Sequence, residues 1–597
     1  MDDDIQARLL ALAARDPLAP VIRAPGREPM TRGALAAQIA EVRGRFGRWR
    51  IARGDVVLAP VFDRPLAMGF YASIPASATL GLVSAGSGVD ACGSLIDRAR
   101  AKAVIVPAGI DHPMAVAARD RGVARIAASA DPNIAGLCTF DLADPGGTLD
   151  GTAPRHPPGW AYLCVTSGTT DRPKLVPYGH RQLLAVADAT GECLRIVPDD
   201  VSGVATPLNL ANGQRTALAL PILHGASALA LPEADTDALW RAIVDEKVSY
   251  VSASFAMLRA LLDRAEAGER IRSQRLRFLR IASGSLDPPV IEALERVFGV
   301  PAICGLATTE TGVVTHQPLP PARRSTGSVG WPLLAQVRVV DADGRATAPG
   351  EVGEIQVRGP QVFDRYLDDD ELQRRSRVDG WFRLGDLARL DASGEIFLVG
   401  RLKEVINRGG DKIAPLEIDA ALRAIAGVAD AAAFAIPHPT LGEEVAAAVV
   451  LAPSAAVSAD EIAAAARSRL GASRAPRRVW IVDALPRNEA GKLVRRELAA
   501  LVGATAVIGR TSADPGVRGA VLTPIEALLA GLWANALGTP VTDAHAPFSR
   551  LGGDAVRAQE IATSIRAVLG VDIDAAALAE GDLTLAQMAR RFDGRTG

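Results

Sequence analysis

Six short stretches hold residues whose types and spacing suit chemistry. Thr166-Ser167-Gly168-Thr169-Thr170-Asp171-Arg172-Pro173-Lys174 follows the apolar run 161–165. A strand leading into hydroxyl- and glycine-rich residues and then Lys is a design for cradling phosphate. Backbone N–H groups and hydroxyls bind oxygens, and the ammonium neutralises charge. The GxxxxGK[ST] spacing of the common nucleotide loop is absent, and alone the stretch reads first as a turn. Ala307-Thr308-Thr309-Glu310-Thr311-Gly312 sets a hydroxyl beside a carboxylate, a pair able to hold Mg2+ on triphosphate oxygens. It reads equally as a helix N-cap followed by an acid. Trp381-Phe382-Arg383-Leu384-Gly385-Asp386-Leu387 places Asp386 on an expected tight turn, where a carboxylate can accept from both hydroxyls of a ribose. The stretches 400–413, 485–492 and 548–556 complete the set; each alone is a solvated turn or charged face.

The lysines give these stretches weight. The chain has six: Lys102, Lys174, Lys247, Lys403, Lys412 and Lys492. Nearly all other positive charge is Arg. Lys is a compact point charge on a flexible stem and Arg a wide planar fork, so a retained Lys marks a place where the fork does not serve. Four of the six fall inside the motifs; Lys102 and Lys247 do not.

The elements that must position these residues follow from hydrophobic pattern. Short runs rich in β-branched residues (56–59, 103–106, 161–166, 248–252, 276–282) alternate with Ala-rich helical stretches, as in a layered α/β fold with buried parallel strands. From 337 to 400, alternating strands at 336–340, 353–358 and 394–399 are split by Asp-Gly and Pro-Gly turns, which predicts antiparallel β structure. A mixed segment follows, with strands at 431–436, 444–451 and 478–482 and a helix over 459–470. Residues 503–519 read as a linker. The last segment is helical over 524–537, 555–569 and 583–591, the first opened by Thr523-Pro524-Ile525-Glu526.

Composition bounds the function. A chain of 597 residues holds several domains. With 49% hydrophobic and 22% charged residues it is globular, not disordered. A formal net charge of -2 gives no polyanion-binding signature, so nucleic acid is not an expected partner. The N-terminus lacks a signal-peptide pattern and no long apolar run predicts a membrane span. Five scattered cysteines fit neither a disulfide framework nor a Cys-rich metal site, and suit a reducing cytoplasm.

Taken together, in order and spacing, the motifs resemble the acyl-adenylate-forming superfamily of acyl-CoA synthetases, nonribosomal peptide synthetase adenylation domains and firefly luciferase. The likeness covers about residues 10–500, and the end of the chain is similar to a peptidyl or acyl carrier domain. The resemblance implies activation of a carboxylate by ATP to acyl-AMP and pyrophosphate, then transfer of the acyl group to a thiol. It implies that Thr166, Ser167, Gly168, Thr169, Thr170 and Lys174 grip phosphates, with Ser283-Gly284-Ser285 and Gly305-Leu306-Ala307 on the adenine side. Thr309 and Glu310 match the family's Thr-Glu pair, with Glu310 on Mg2+; Asp386 and Arg401 match the ribose-side residues. Lys403 falls at the hinge, Gly409-Gly410 at the pantetheine entry, and Lys492 at the lysine that meets the carboxylate and α-phosphate. Asn209, Leu210, Asn212, Gly213, Ser254, Phe255 and Gly284 line the implied acyl pocket.

Residues 406–413 are similar to small-acid and aryl-acid enzymes such as oxalyl-CoA synthetases. The acidic partner for an α-ammonium is missing from 207–214, which disfavours an ordinary amino acid because a buried ammonium without a carboxylate is costly. Three departures stand out. Leu306 replaces the aromatic that stacks on adenine. Asn209, Asn212, Gln214 and Arg215 bring polar groups toward the acyl pocket, which points to a small acid with polar or charged substituents; alternatively these groups bond backbone. Ala555 stands where a carrier has its phosphopantetheine-bearing Ser, so the carrier is either natively silent or held apo by replacement; its intact flanks favour replacement.

The expected organisation is a large α/β N-terminal domain of layered sheets with a small β-barrel-like part over 1–398, and an α+β mobile subdomain over 399–502. A linker over 503–519 and an all-α four-helix carrier over 520–597 complete it. ATP, Mg2+ and 4'-phosphopantetheine are the expected cofactors, the last blocked by Ala555. Expected partners are a small carboxylic acid, the chain's own carrier, a phosphopantetheinyl transferase and downstream synthase modules. The resemblance implies first a loading module of nonribosomal peptide or polyketide biosynthesis that passes the acyl group to the phosphopantetheine of its own carrier; the alternatives are a free acyl-CoA ligase with a degenerate carrier-like tail and a nucleotide-binding scaffold.

Overall fold

The computed structural model describes residues 4–143, 154–166, 173–245, 247–268, 275–283, 288–453, 455–488, 492–503, 524–537, 541, 546–551, 553–569, 571–580 and 583–590. The chain forms two compact units, Met1–Leu402 with Arg487–Leu493, and Lys403–Pro486 with Val494–Gly597.

The first unit holds two seven-stranded sheets. In one, strands run in the order Ala302–Cys304, Phe278–Ser283, Tyr250–Ser254, Val201–Val204, Ser227–Ala230, Pro20–Arg23 and Met30–Thr31. All neighbours are parallel except the last pair. In the other, the order is Cys138–Leu142, Ala124–Ala130, Ala103–Pro107, Val56–Pro60, Thr79–Val83, Trp160–Thr166 and Lys174–Gly179, with antiparallel pairs at both edges. The central strands are buried along their whole length, as their unbroken apolar runs require of strands covered on both faces. The expected strands at 248–252 and 276–282 sit one to two residues further on.

Lys102 finds its reason here. It lies three residues after the helix Val89–Ala99 and immediately before the parallel strand Ala103–Pro107, and its Nζ lies 3.3 Å from Asp55 Oδ2, both side chains buried. Asp55 Oδ2 also accepts from the Ala52 N–H at 2.9 Å.

The antiparallel part is a five-stranded sheet of Gln336–Val340, Gly353–Arg358, Trp381–Leu390, Arg377–Val378 and Ile396–Arg401. It stands where the small β-barrel-like part is expected, with its strand order open among the described residues.

In the second unit, Val428–His438 and Gly442–Leu451 form a long hairpin flanked by Ile406–Arg408 and by the parallel Arg478–Ile481. The helix Ala459–Leu470 starts at a capping box in which Ser458 and Glu461 satisfy each other's backbone N–H. Four helices, Pro524–Leu537, Ala555–Leu569, Ala575–Glu580 and Leu585–Ala589, make the carrier-type bundle among the described residues, packed around Trp533 and Phe548 at 5.1 Å. The last helix starts at Leu585 and not at the expected 583 because Thr584 caps it. The expected Thr523 cap and the linker from 504 onward lie outside the described residues. No described helix is long and apolar enough to cross a membrane.

Candidate active site

The phosphate motif closes a hairpin: Thr166 and Lys174 are directly paired across strands Trp160–Thr166 and Lys174–Gly179. Ser167, Gly168, Thr169 and Thr170 lie outside the described residues. The structure brings Lys174 to Glu310 from 136 residues away, Nζ to Oε1 at 3.1 Å. The Tyr366 hydroxyl donates to the same oxygen at 2.7 Å and lies 3.5 Å from the Lys174 ammonium. Backbone bonds fix this group. The Phe363 N–H donates to the Glu310 carbonyl at 2.8 Å, and the Leu367 N–H to the Leu175 carbonyl at 3.0 Å. Burial pushes the Glu310 carboxyl up, but the Lys174 charge and the bonds from Tyr366 and Lys174 outweigh it and hold the group below its ordinary range. Burial and the neighbouring Glu310 charge push the Tyr366 phenol up, so it stays a donor.

Thr309 and Glu310 sit at the tip of a hairpin between Ala307–Thr308 and Gly312–Val313, so the helix N-cap reading is wrong. Gly312 has φ +63°, a left-handed conformation that glycine adopts freely, and an added Cβ would lie 2.6 Å from the Tyr178 hydroxyl. Arg215 holds the tip from below, donating to the Thr309 carbonyl at 2.9 Å while its guanidinium lies 3.5 Å above the Tyr178 ring. That buried role takes Arg215 out of any direct acyl contact. Gln214 is likewise committed, its Nε2 donating to the Leu208 carbonyl at 2.9 Å.

On the adenine side, Ser283 ends the strand Phe278–Ser283, while Gly284 and Ser285 lie outside the described residues. Gly305 leaves no room for a side chain, since a Cβ would sit 2.3 Å from the Thr315 carbonyl oxygen. Leu306 is buried in the main core, its N–H bonded to Thr315 Oγ1 at 3.1 Å, and Ala307 is the exposed neighbour. The expected Leu306 stacking surface is therefore turned inward. Asp386 is not on a tight turn: it lies inside the strand Trp381–Leu390, opposite Arg401, with Arg401 Nε 3.0 Å from Asp386 Oδ1. The irregularity that suggested a turn is a break in strand register, with Gly385 at φ +73°.

At the implied acyl pocket, Asn209, Leu210 and Asn212 are half-buried. Residues 213–219 wind as a π-helix, an uncommon form that recurs at functional sites. Gly213 lets this segment approach the Pro207 carbonyl, which a Cβ would meet at 2.1 Å. Ser254 caps the helix Phe255–Glu266, its Oγ accepting from the Met257 N–H at 3.3 Å, and Phe255 packs against the core beneath. Asn212 Oδ1 lies 2.6 Å from Thr216 Oγ1 and accepts from Arg280 Nη1 at 3.1 Å.

Lys492 sits on a small hairpin: its N–H donates to Asn488 Oδ1 at 3.0 Å and its carbonyl accepts from the Asn488 N–H at 2.9 Å. Arg487–Leu493 belongs to the compact unit of the large domain, although the flanking chain belongs to the other. The division between units passes between Leu402 and Lys403. In the second unit, Gly409 and Gly410 have φ +58° and +102° and turn the hairpin Ile406–Arg408 to Asp411–Ile413, as a two-residue turn with positive φ at both positions demands. Ala555 is exposed and begins the helix Ala555–Leu569, behind Asp554, whose Oδ1 accepts from the Arg557 N–H at 2.8 Å.

Sequence reading missed Tyr366, Arg280 and His316. Tyr is scarce in this chain, with five residues, and an Arg inside the apolar run 276–282 is anomalous; both were available signals.

The sequence model described as AMP-binding enzyme matches residues 13–367, its C-terminal domain matches 417–492, and a phosphopantetheine attachment site matches 527–592. The chain is 32% identical over 367 residues to an oxalate–CoA ligase of Arabidopsis thaliana, covering 60% of this chain and 71% of that protein. It is 33% identical over 397 residues to a sulfoacetate–CoA ligase of Cupriavidus necator, covering 66% and 74%. In fold it is similar to ATP-bound MatB from Rhodopseudomonas palustris, with a TM-score of 0.73 at 24% identity over 85% of this chain and 99% of that one.

Proposed function

Because the chain belongs to the AMP-binding enzymes, as an adenylate-forming acid–thiol ligase with a carrier-type C-terminal domain, we propose that it activates a small carboxylic acid bearing a second polar or anionic group, using ATP, and passes the acyl group to a pantetheine thiol. The observation that carries this is the convergence of Lys174 and Tyr366 on one oxygen of Glu310, in the compact unit that also contains the Lys492 hairpin. The half-buried amides Asn209 and Asn212 support the polar acid, as do the acids named for the oxalate and sulfoacetate ligases.

In the first half-reaction an oxygen of the acid attacks the α-phosphorus, and the bond to the bridging oxygen of pyrophosphate breaks. Charge grows on the attacking and bridging oxygens, and the Lys492 ammonium stabilises it more in the transition state than in the ground state. Lys174 and residues 167–170 hold the departing phosphates, and Asp386, steadied by Arg401, takes the ribose hydroxyls. Glu310 fits a Mg2+ site of the one-carboxylate kind, since its buried, ionised oxygen already carries the Lys174 ammonium as a stand-in cation. Mg2+ bound there supplies Lewis-acid neutralisation of phosphate charge. In the second half-reaction a thiol sulfur attacks the acyl carbon, the bond to AMP breaks and the thiol proton passes to solvent. Lys403 serves as the hinge and Gly409-Gly410 as the thiol entry.

The carrier does not fit its prosthetic group: Ala555 offers a methyl where a phosphodiester needs a hydroxyl. The acceptor is therefore coenzyme A or a carrier in trans. The matched attachment domain over 527–592 favours a second reading, loading of the chain's own carrier, which needs Ser at 555 and brings in a phosphopantetheinyl transferase and downstream modules. ATP–pyrophosphate exchange across small carboxylic, hydroxy, keto and β-amino acids tests adenylation; exchange with none of them sinks the reading. Thioester formation on coenzyme A, set against loading of Ala555→Ser, identifies the acceptor.

A further inference from the structure

Arg280 is about the least expected residue in the molecule. It lies at the middle of a parallel strand, 1% exposed, and among the described residues no carboxylate pairs with it. Its partners are neutral. Nε donates to His316 Nε2 at 3.1 Å, and Nη1 to Ser252 Oγ at 3.1 Å and to Asn212 Oδ1 at 3.1 Å. His316 is the Nδ1–H tautomer, because Nδ1 lies 2.7 Å from the Gln317 carbonyl oxygen and Nε2 must accept from a guanidinium that has no acceptor. Burial pushes Arg280 down to about 10, so it remains a cation at neutral pH. A buried cation without an anion is costly and is kept where a ligand supplies the anion.

Strand register shows where that anion would come from. Tyr250 pairs with Phe278, Ser252 with Arg280 and Ser254 with Ser283, rising toward the carboxyl ends of the strands. Arg280 is thus one layer beneath the edge at which open parallel sheets bind ligands. Asn212 covers that layer, one turn ahead of the Arg215 that holds the Thr309 carbonyl. Arg280 only donates, so it fixes which end of the Asn212 amide faces inward: Oδ1 points to Arg280 and Thr216. Nδ2, with no protein partner among the described residues, is the end of this half-buried amide that Arg280 and Thr216 do not hold. The amide dipole and the cation behind it then add, both giving positive potential on the Nδ2 side.

We infer that Asn212 is a specificity-determining residue that donates through Nδ2 to the second, anionic group of the acid, and that Arg280 is the positioning residue that locks the amide and supplies the field. The inference rests on the proposed adenylation of a small polar acid and names its class: short acids with a second carboxylate or a sulfonate. The neutral His316 keeps its lone pair on Arg280 and so holds the guanidinium aimed at Asn212.

The test measures kcat and KM for acid and for ATP by pyrophosphate exchange in the full chain. Malonate and sulfoacetate are set against propionate and butyrate. Wild type should prefer the anionic acids. Asn212→Asp, equal in size but with an acceptor in place of the donor, should lower that preference about 10–100-fold through KM for the acid, leaving KM for ATP unchanged. Asn212→His, which restores a donor, should recover part of it. Arg280→Met should lose the preference if it folds; where it does not, the Asn212 pair decides alone. An unchanged anionic-to-neutral ratio in Asn212→Asp overturns the inference while leaving adenylation standing. No exchange with any acid overturns adenylation and this inference together.

Discussion

At the scale of single residues, the site is built from charges that sequence distance hides from one another. Lys174 and Glu310 were legible because each sits in a motif with its own chemistry. Tyr366 was not, because nothing local marks a tyrosine that acts 56 residues from its partner. Its role is testable. Tyr366→Phe leaves Glu310 Oε1 to Lys174 alone, so KM for Mg·ATP should rise about tenfold with the fold intact, and Mn2+ binding followed by electron spin resonance should weaken alongside. A variant with unchanged Mn2+ affinity would reduce Tyr366 to packing. Two buried histidines make a pH prediction. Burial pushes His316 down to about 3 and His180 down to about 4. Unfolding returns both to about 6.5, so the unfolded chain binds more protons between those limits. Stability is therefore full above about 6.5 and is lost as pH falls toward 4 and 3. His316→Gln, which keeps an acceptor for Arg280, should flatten the loss between about pH 7 and about pH 5 in urea unfolding.

At the scale of elements, hydrophobic pattern was a good guide to type and a weaker one to ends. The run 103–106 and the alternation over 336–340 became strands at nearly the expected positions, since burial on two faces or one writes those patterns directly. The hairpin tip at Thr309-Glu310 and the in-strand Asp386 were misread because Thr-Glu and Gly-Asp serve caps, turns and bulges alike; only the pairing partner distinguishes them. Lys102 had no local reason at all, since its partner Asp55 belongs to the loop before a neighbouring strand. Lys102→Met should cost about 3–5 kcal/mol by leaving the buried Asp55 carboxylate alone, measured by the shift in denaturation midpoint. Equal stability of this variant would mean that water already reaches the pair.

At the scale of the whole molecule, the chain crosses between its compact units at 402/403 and twice more around Arg487–Leu493. Lys492 lies between the last two crossings, within the first unit. Lys403→Pro fixes φ at the first crossing and should slow thioester formation more than pyrophosphate exchange; equal losses in both would dismiss Lys403 as the hinge. Ala555→Ser should gain the mass of one phosphopantetheine after transferase treatment, where the chain with Ala555 gains none. The scarcity of lysine has one more consequence. An acyl-adenylate is a mixed anhydride and acylates any neutral amine it meets, whereas a guanidinium, always protonated, is inert to it. Of the six amines, Lys102 is buried against Asp55 and Lys174 is paired to Glu310, and the other sixty basic side chains are arginines. Most of the chain's positive charge is thus carried by groups that such an intermediate cannot acylate.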